Sequence, residues 1–388
     1  MALVRNSAFF RRYAFSVSYD GLNCLGFSFQ GKYENCINPQ GSDLRSLHSV
    51  EGKIRLALSS LADGFKPDFT QGVDPDILWN GCNYENFQVS SRTDRSVHAL
   101  KNTFHVDLRT RDANNDAIWD TQNLVRGLNF HLIRNARGEV TKYLNDCSGK
   151  MPQSLMRLPE NDVRITSCRP APLELLPNKH FNEGAEDMNA GQPSHISWNA
   201  RFTATSRTYV YRILCHKLPP WGKENDGQVE EYGFPFEAGR SWRIYSTNDL
   251  DVEAMRSAAK HLVGTHDFSS FRGKKCYRST PVTTIDNISI ESGPLFNSSF
   301  AIIGRNESGR ERTDDNNAQI VSIAVKGNAF LYRQVRNICG TLATVGQKKL
   351  CPSSVQEILM AKDRSKAPVM APAHGLYLAN VEHGDFHI

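Results

Sequence analysis

The stretch SSRTDRSVHALKNTFHVDL, Ser90 to Leu108, sets a sharp charged turn between two β-type runs. FQVSS (Phe87–Ser91) leads into it, and TFHVDL (Thr103–Leu108) alternates in the strand manner on the far side. Asp94 sits at the turn, flanked by Arg92 and Arg95. A loop aspartate is most simply an Asx turn or a solvated charge. An arginine nearby favours the ionised form, however, and an ionised, partly desolvated carboxylate can act as nucleophile or base. A turn carried between two strands also holds such a group more rigidly than a free loop.

Upstream, YAFSVSYD (Tyr13–Asp20) alternates as a strand. Leu47, Val50, Ile54, Leu58 and Leu61 follow at helical spacing, with Gly64 as a stop. Downstream, residues 147–197 are rich in Pro, Asn, Gly and acids and read as a linker around a short strand, Val163–Ser167. The second half repeats the grammar. RTYVYRILC (Arg207–Cys215) is a strand, and Val252, Met255, Ala259, Leu262 and Val263 form a helical stripe ending at Gly264. Thr283–Ile290 and Ile320–Gly327 are strands, with a polar, aperiodic stretch over 291–318 between them that is read as a mobile loop. Leu331, Val335, Ile338, Leu342 and Val345 give the strongest helix signal. Ser354 with Glu357 reads as a capping box, and Gly375–Asn380 as a closing strand. Two similar mixed halves predict an α+β protein, with antiparallel sheet and helices on one side. The boundaries expected are 1–12 as a short targeting or flexible segment, 13–170 and 198–388 as two subdomains, and 171–197 as a polar insertion.

Charge and cysteine content narrow the class. Lys+Arg 46 against Asp+Glu 41 gives +5, short of an overtly basic nucleic-acid-binding domain. Yet 29 of the 46 cations are arginine, whose planar fork grips phosphate and stacks on bases. Nine cysteines, an odd number with no C-x-x-C pair, argue against a disulfide framework and a zinc knuckle, and point inside the cell. No run approaches the ~18 apolar residues needed to span a bilayer. Arg5, Arg11 and Arg12 in an acid-free start are compatible with a mitochondrial presequence, with cytoplasmic or nuclear residence as the alternative.

Two further stretches carry basic and aromatic residues together. In NARFTATSRTYVYRIL (Asn199–Leu214), Arg201, Arg207 and Arg212 interleave with Phe202, Tyr209 and Tyr211. That is either a strand with one wet face or a stacking platform for bases. On a strand Tyr209 and Tyr211 share a face and Arg212 points away. In KGNAFLYRQVRNICG, Arg333, Arg336 and Gly340 fall off the apolar stripe. Arg336 near a helix start opposes the macrodipole, which makes an anionic partner plausible and leaves a plain surface arginine as the alternative.

Taken in order, these stretches resemble the TruA-type tRNA pseudouridine synthases. The motifs are R-T-D-x-x-V-H-A at Arg92–Ala99, A-R-F-x-A-T-x-R-x-Y-x-Y at Ala200–Tyr211 and GTHDFSSF at Gly264–Phe271. N-A-F-x-x-x-x-V-R follows at Asn328–Arg336, and A-P-A-H-G-L-Y-L closes the series at Ala371–Leu378. Wording such as SRTYVYR, FLYRQVR and APAHGL is most similar to the metazoan branch called tRNA pseudouridine synthase-like 1. The resemblance implies two ferredoxin-like halves forming one continuous antiparallel sheet, helices on one face and an RNA-binding cleft between the halves. It implies Asp94 as the catalytic aspartate, Tyr209 against the target uracil, Arg336 paired with Asp94, and Arg92 in the space that the flipped nucleotide leaves. Arg207 and Arg201 are further candidates for substrate binding. The family needs no metal or organic cofactor. Its substrate is tRNA, with the anticodon arm as the expected target, mRNA as a further candidate, no membrane partner, and a homodimer as one assembly.

Two places depart from the family pattern. Ser96 stands where a glycine is usual, and a positive φ there would strain serine by about 1–2 kcal/mol. YDGLNCLGFSFQ (Tyr19–Gln30) has Phe27 and Phe29 with a displaced Gln30 in place of an aromatic-Gln pair. Two rival readings stand beside the synthase. One is a metal-dependent hydrolase on Asp94, His98, His105 and Asp107, against which His98 reads as a structural histidine. The other is a catalytically idle RNA-binding protein or tRNA chaperone.

Overall fold

The structure, a computed structural model, describes residues 10–28, 49–64, 83–110, 119–145, 162–173, 176–177, 195–196, 198–217, 237–294 and 318–388. Leu47, Phe29, Gln30 and most of the 171–197 and 291–318 stretches lie outside these residues. The chain divides into two compact units, one of residues 1–205 with 378–388 and the other of residues 206–377.

The first unit is a βαββαβ motif. Strand β1 (Phe10–Tyr19) is followed by helix α1 (Val50–Ala62), β2 (Tyr84–Val89), β3 (His98–Arg109), α2 (Thr121–Asn145) and β4 (Val163–Pro170). The antiparallel order is β4-β1-β3-β2, the ferredoxin-like arrangement. Ser49 caps α1 by accepting from Gly52 N at 3.0 Å, and Gly64 follows the helix with φ +67°. Phe15 stacks on Phe104 and Phe104 on Phe87, each at 4.9 Å, and Arg55 of α1 covers Phe87.

Helix α2 is the main element that the sequence reading passed over. Its core face is Leu124, Leu128 and Leu132, while Arg126, Arg134 and Arg137 dilute the apolar signal. Gly127 interrupts it for a packing reason, since a Cβ there would lie 2.7 Å from Leu61 of α1. Strand β4, read as a fragment within a linker, is an integral strand beside β1.

Residues alternating with the Phe15–Phe104 layer face the opposite side of the sheet. There Trp198 fills a space left by Ala14, Ala171 and Ala200, with Phe386 and Ile388 packed against it. Arg11 and Arg12, part of the Arg-rich start, belong to β1. Arg11 donates to Ala171 O, and Arg12 grips Asp107 in two bonds of 2.6 and 2.9 Å.

The second unit holds β5 (Ser206–Lys217), β6 (Trp242–Ser246), α3 (Val252–Ala259), β7 (Gly264–Asp267), β8 (Val282–Pro294), β9 (Ala318–Gly327), α4 (Gln334–Gly346) and α5 (Ser354–Ala361). Strands β5, β9, β8 and β7 pair antiparallel in that order, and β6 adds to β5 in parallel. The α+β class, with helices packed on one face of a mainly antiparallel sheet, is therefore as expected, and β6 makes the sheet mixed. All five residues of the stripe Leu331–Val345 are buried, although Leu331 precedes the helix. The capping box is not formed: Ser354 is already helical, and Ser353 before it makes no side-chain cap bond.

Strand β10 (Leu376–Glu382) closes the chain. From Leu378 onward it belongs to the first unit, where it neighbours β3.

Candidate active site

The turn bearing Asp94 is held from below by buried polar groups. Tyr19 OH, on the last residue of β1, meets Thr93 Oγ1 at 2.9 Å. Asn102 of β3 is fully buried; its amide donates to Ser91 O at 2.9 Å, and its carbonyl accepts from Ser90 Oγ and Thr103 N. Backbone bonds run from Phe27 N to Thr93 O, from Ser96 N to Cys24 O, and within the turn from Val97 N to Asp94 O. Thr93 before Asp94 and Ser96 after it are thus fixed, and the half-buried carboxylate is carried on a backbone held at both sides.

Two glycines permit this close approach. A Cβ at Gly26 would lie 2.8 Å from Thr93 O, and one at Gly21 only 2.0 Å from Val97 O. Gly26 also has φ +102°, a conformation that glycine alone takes cheaply. Tyr19, Gly21, Gly26 and Asn102 are the supporting residues to which the motifs assign no role. A polar Asn within a β run, a residue type depleted from strands, was the legible signal. Ser96 does adopt positive φ, at +63°, so the strain expected of serine is present.

Three of the four residues of the metal reading have other duties. His98 Nδ1 accepts from Gly21 N at 3.1 Å, which makes it the structural histidine expected. His105 Nδ1 accepts from Ala200 N at 3.0 Å, and burial lowers its pKa to about 3. Asp107 is held by Arg12 and also by Asn86. Among the described residues no group of three or more potential ligands converges.

The remaining candidates fall into two groups. Arg92 is exposed on the same turn as Asp94. Arg201 also belongs to the first unit and lies ahead of the strand, not on it. Asn199 closes a turn over Arg201 and Phe202 through its side-chain carbonyl, the Arg201 guanidinium lies 5.4 Å above the Phe202 ring, and the strand begins only at Ser206.

In the second unit Tyr209 is nearly buried, with its ring edge against Phe330 at 5.3 Å. Arg207 Nη1 donates to Asn328 O at 2.7 Å, tying β5 to the N-A-F motif. Arg212 points away from the tyrosines and pairs with Glu237 at 2.8 Å. Arg336, third residue of α4, is 9% exposed, which excludes the surface-arginine reading. Its Nε donates to Ala371 O at 2.9 Å, and Tyr211 OH donates to the adjacent Pro372 O at 2.8 Å. Burial raises the Tyr211 pKa, so the phenol stays a neutral donor.

The closing motif follows from this packing. A Cβ at Gly375 would sit 2.7 Å from the Tyr211 ring, and one at Gly340 would sit 2.2 Å from Val369 O. Residues 367–371 therefore lie flat on α4, held also by Arg364, which donates to Ala367 O, Pro368 O and Asn337 Oδ1. Asp267 of the GTHDFSSF motif accepts from Ser269 N and Oγ, turning Phe268 and Phe271 into the core.

Comparison with known proteins points to the same family that the motifs resemble. A family model described as tRNA pseudouridine synthase matches residues 258–383. The tRNA pseudouridine synthase A of Dinoroseobacter shibae is 29% identical over 373 residues, covering 96% of each chain. That of Caulobacter vibrioides is 28% identical over 375 residues, covering 96% of this chain and 99% of its own. That of a Jannaschia species is 27% identical over 374 residues, covering 96% and 95%. Over nearly its whole length the chain is thus similar to proteins named tRNA pseudouridine synthase A, and over its C-terminal third to the tRNA pseudouridine synthase family model.

Proposed function

We propose that this protein isomerises uridine in tRNA to pseudouridine, with Asp94 as the catalytic carboxylate. The observation that carries the reading is the turn Ser90–Val97, an aspartate held on a backbone fixed by Tyr19, Asn102 and Gly26. The similarity to tRNA pseudouridine synthases over 96% of the chain supports it.

The reaction breaks the bond between ribose and base, turns the base and rejoins it through a ring carbon. Substrate and product contain the same atoms, so no energy source is required. A stacked base must first be extruded, at a cost on the order of a few kcal/mol. In this reading Arg92, exposed beside Asp94, fills the vacancy, and the Tyr209 ring stacks on the everted uracil. Asp94 then acts in its charged form, as nucleophile at the anomeric carbon or as base toward a sugar proton. Arg336 is assigned to orient that charge, and Arg207 and Arg201 to contact the RNA backbone. The anticodon arm is the proposed target. The metazoan tRNA pseudouridine synthase-like 1 branch and a mitochondrial site belong to the same proposal, on the wording of SRTYVYR and APAHGL.

The decisive measurement is tritium release from tRNA labelled at carbon five of uridine. Asp94→Asn is expected to abolish release while leaving tRNA affinity within a few fold. Equal turnover by variant and parent would sink the assignment. Binding without release by the parent would favour the idle RNA-binding reading.

A further inference from the structure

The loop that joins the GTHDFSSF motif to β8 has no part in the chemistry above, yet it is a charged projection tied down by hydrogen bonds. Between Asp267 and Asp286 there is no carboxylate, while Arg272, Lys274, Lys275 and Arg278 fall within seven residues. Arg272 is turned inward: its Nη2 donates to Cys276 O at 2.9 Å and also to Arg278 O. That arginine closes the loop on itself and pushes its neighbours out. Gly273 N donates to Tyr332 O at 2.8 Å, and a Cβ at Gly273 would lie 2.7 Å from the Tyr332 ring. The loop is thus clamped to the segment leading into α4, whose Asn337 in turn donates to Phe271 O at 2.7 Å. Lys274, Lys275 and Arg278 are exposed, and among the described residues no carboxylate pairs with them. Between them Tyr277 stands 98% exposed, so folding buries almost none of its ring.

We propose that this loop is an RNA-docking element. Lys274, Lys275 and Arg278 take backbone phosphates, and the Tyr277 ring stacks on an unpaired base of the same RNA. The proposal extends the tRNA reading above to a second contact surface. Three uncompensated cations fixed on one loop are an electrostatic footprint for a polyanion. An aromatic face among them offers the sequence-tolerant stacking that unpaired bases use. An anionic membrane fits less well, because binding there draws on an amphipathic helix with an apolar face, and residues 272–281 hold no helix.

The test uses the full chain and an unmodified tRNA transcript, with affinity read by fluorescence anisotropy from about 50 to 200 mM salt. The triple variant Lys274→Ala, Lys275→Ala, Arg278→Ala should flatten the slope of log affinity against log salt by about two, at ~0.7–0.9 for each phosphate no longer neutralised. Lys274→Arg with Lys275→Arg should keep the parent slope. Tyr277→Ala should weaken binding roughly 5- to 100-fold, as expected for removal of one stacking ring, while Tyr277→Phe stays within about twofold. An unchanged slope and affinity in the triple variant would overturn the proposal. So would loss of binding to phosphatidylserine vesicles with tRNA affinity intact, or a parent that does not bind tRNA. A parent that shows the salt effect but releases no tritium would refute the isomerase reading and leave this one standing.

Discussion

Ser96 and His105 show how single residues near the turn set local energetics. Ser96 occupies φ +63°, where a side chain clashes with its own backbone. Ser96→Gly relieves that clash but adds freedom to the unfolded chain. The net expectation is a stabilisation of about 0.5–1 kcal/mol by denaturant titration; a loss would show that the serine side chain makes a compensating contact. His105 is fully buried, and desolvation, reinforced by the Arg12 charge, lowers its pKa to about 3. The unfolded histidine takes a proton below about pH 6.5 and the folded one does not. Its contribution is therefore intact above that pH and is lost progressively as pH falls toward 3. The slope is up to about 1.4 kcal/mol per unit, or roughly 2 kcal/mol between pH 7 and pH 5. Urea titrations at the two pH values should show a smaller difference for His105→Gln than for the parent. Equal differences would mean that other groups, such as His131 and His216, carry the dependence.

At the scale of elements, the seating of α4 decides where Arg336 is presented. The helix carries its own apolar stripe, but its height against residues 367–371 depends on the missing side chain at Gly340. Gly340→Ala would place a methyl 2.2 Å from Val369 O, a contact that rigid backbone cannot absorb. We expect a destabilisation of about 1–3 kcal/mol. Breakage of the Arg336 to Ala371 bond should accompany it, visible as faster amide exchange over 367–371. Unchanged exchange and stability would show that the strap is not seated by this contact.

At the scale of the whole molecule, the last eleven residues belong to the first unit rather than to the one that precedes them in the chain. His383 bonds Thr103 Oγ1 at 2.8 Å and lies tilted against Trp198 at 4.9 Å, and Phe386 packs edge-on against the same indole at 5.1 Å. Phe386→Ala should cost about 3 kcal/mol or less, since the ring is only partly buried. Truncation after Tyr377 should cost more and should raise proteolytic cleavage within residues 98–110. Cleavage confined to residues 206–377 would contradict the assignment of the tail to the first unit.

Much of this protein could be read without coordinates. Strands and helices with strict period, such as Tyr13–Tyr19 and Val335–Val345, declare themselves because burial on one face selects apolar residues at fixed spacing. Asp94, Tyr209 and Arg336 could be singled out because their motifs are local in sequence. What periodicity could not convey is closeness between distant backbones. Gly127 against Leu61, Gly26 against Thr93 and Gly340 against Val369 each depend on an atom that is absent, and an absent side chain leaves no pattern. The same holds for Asn102, whose two bonds to Ser90 and Ser91 exist only once β3 is paired. Local sequence determined which groups can do chemistry, and tertiary packing decided how rigidly the backbone holds them, because rigidity comes from contacts between segments far apart in the chain.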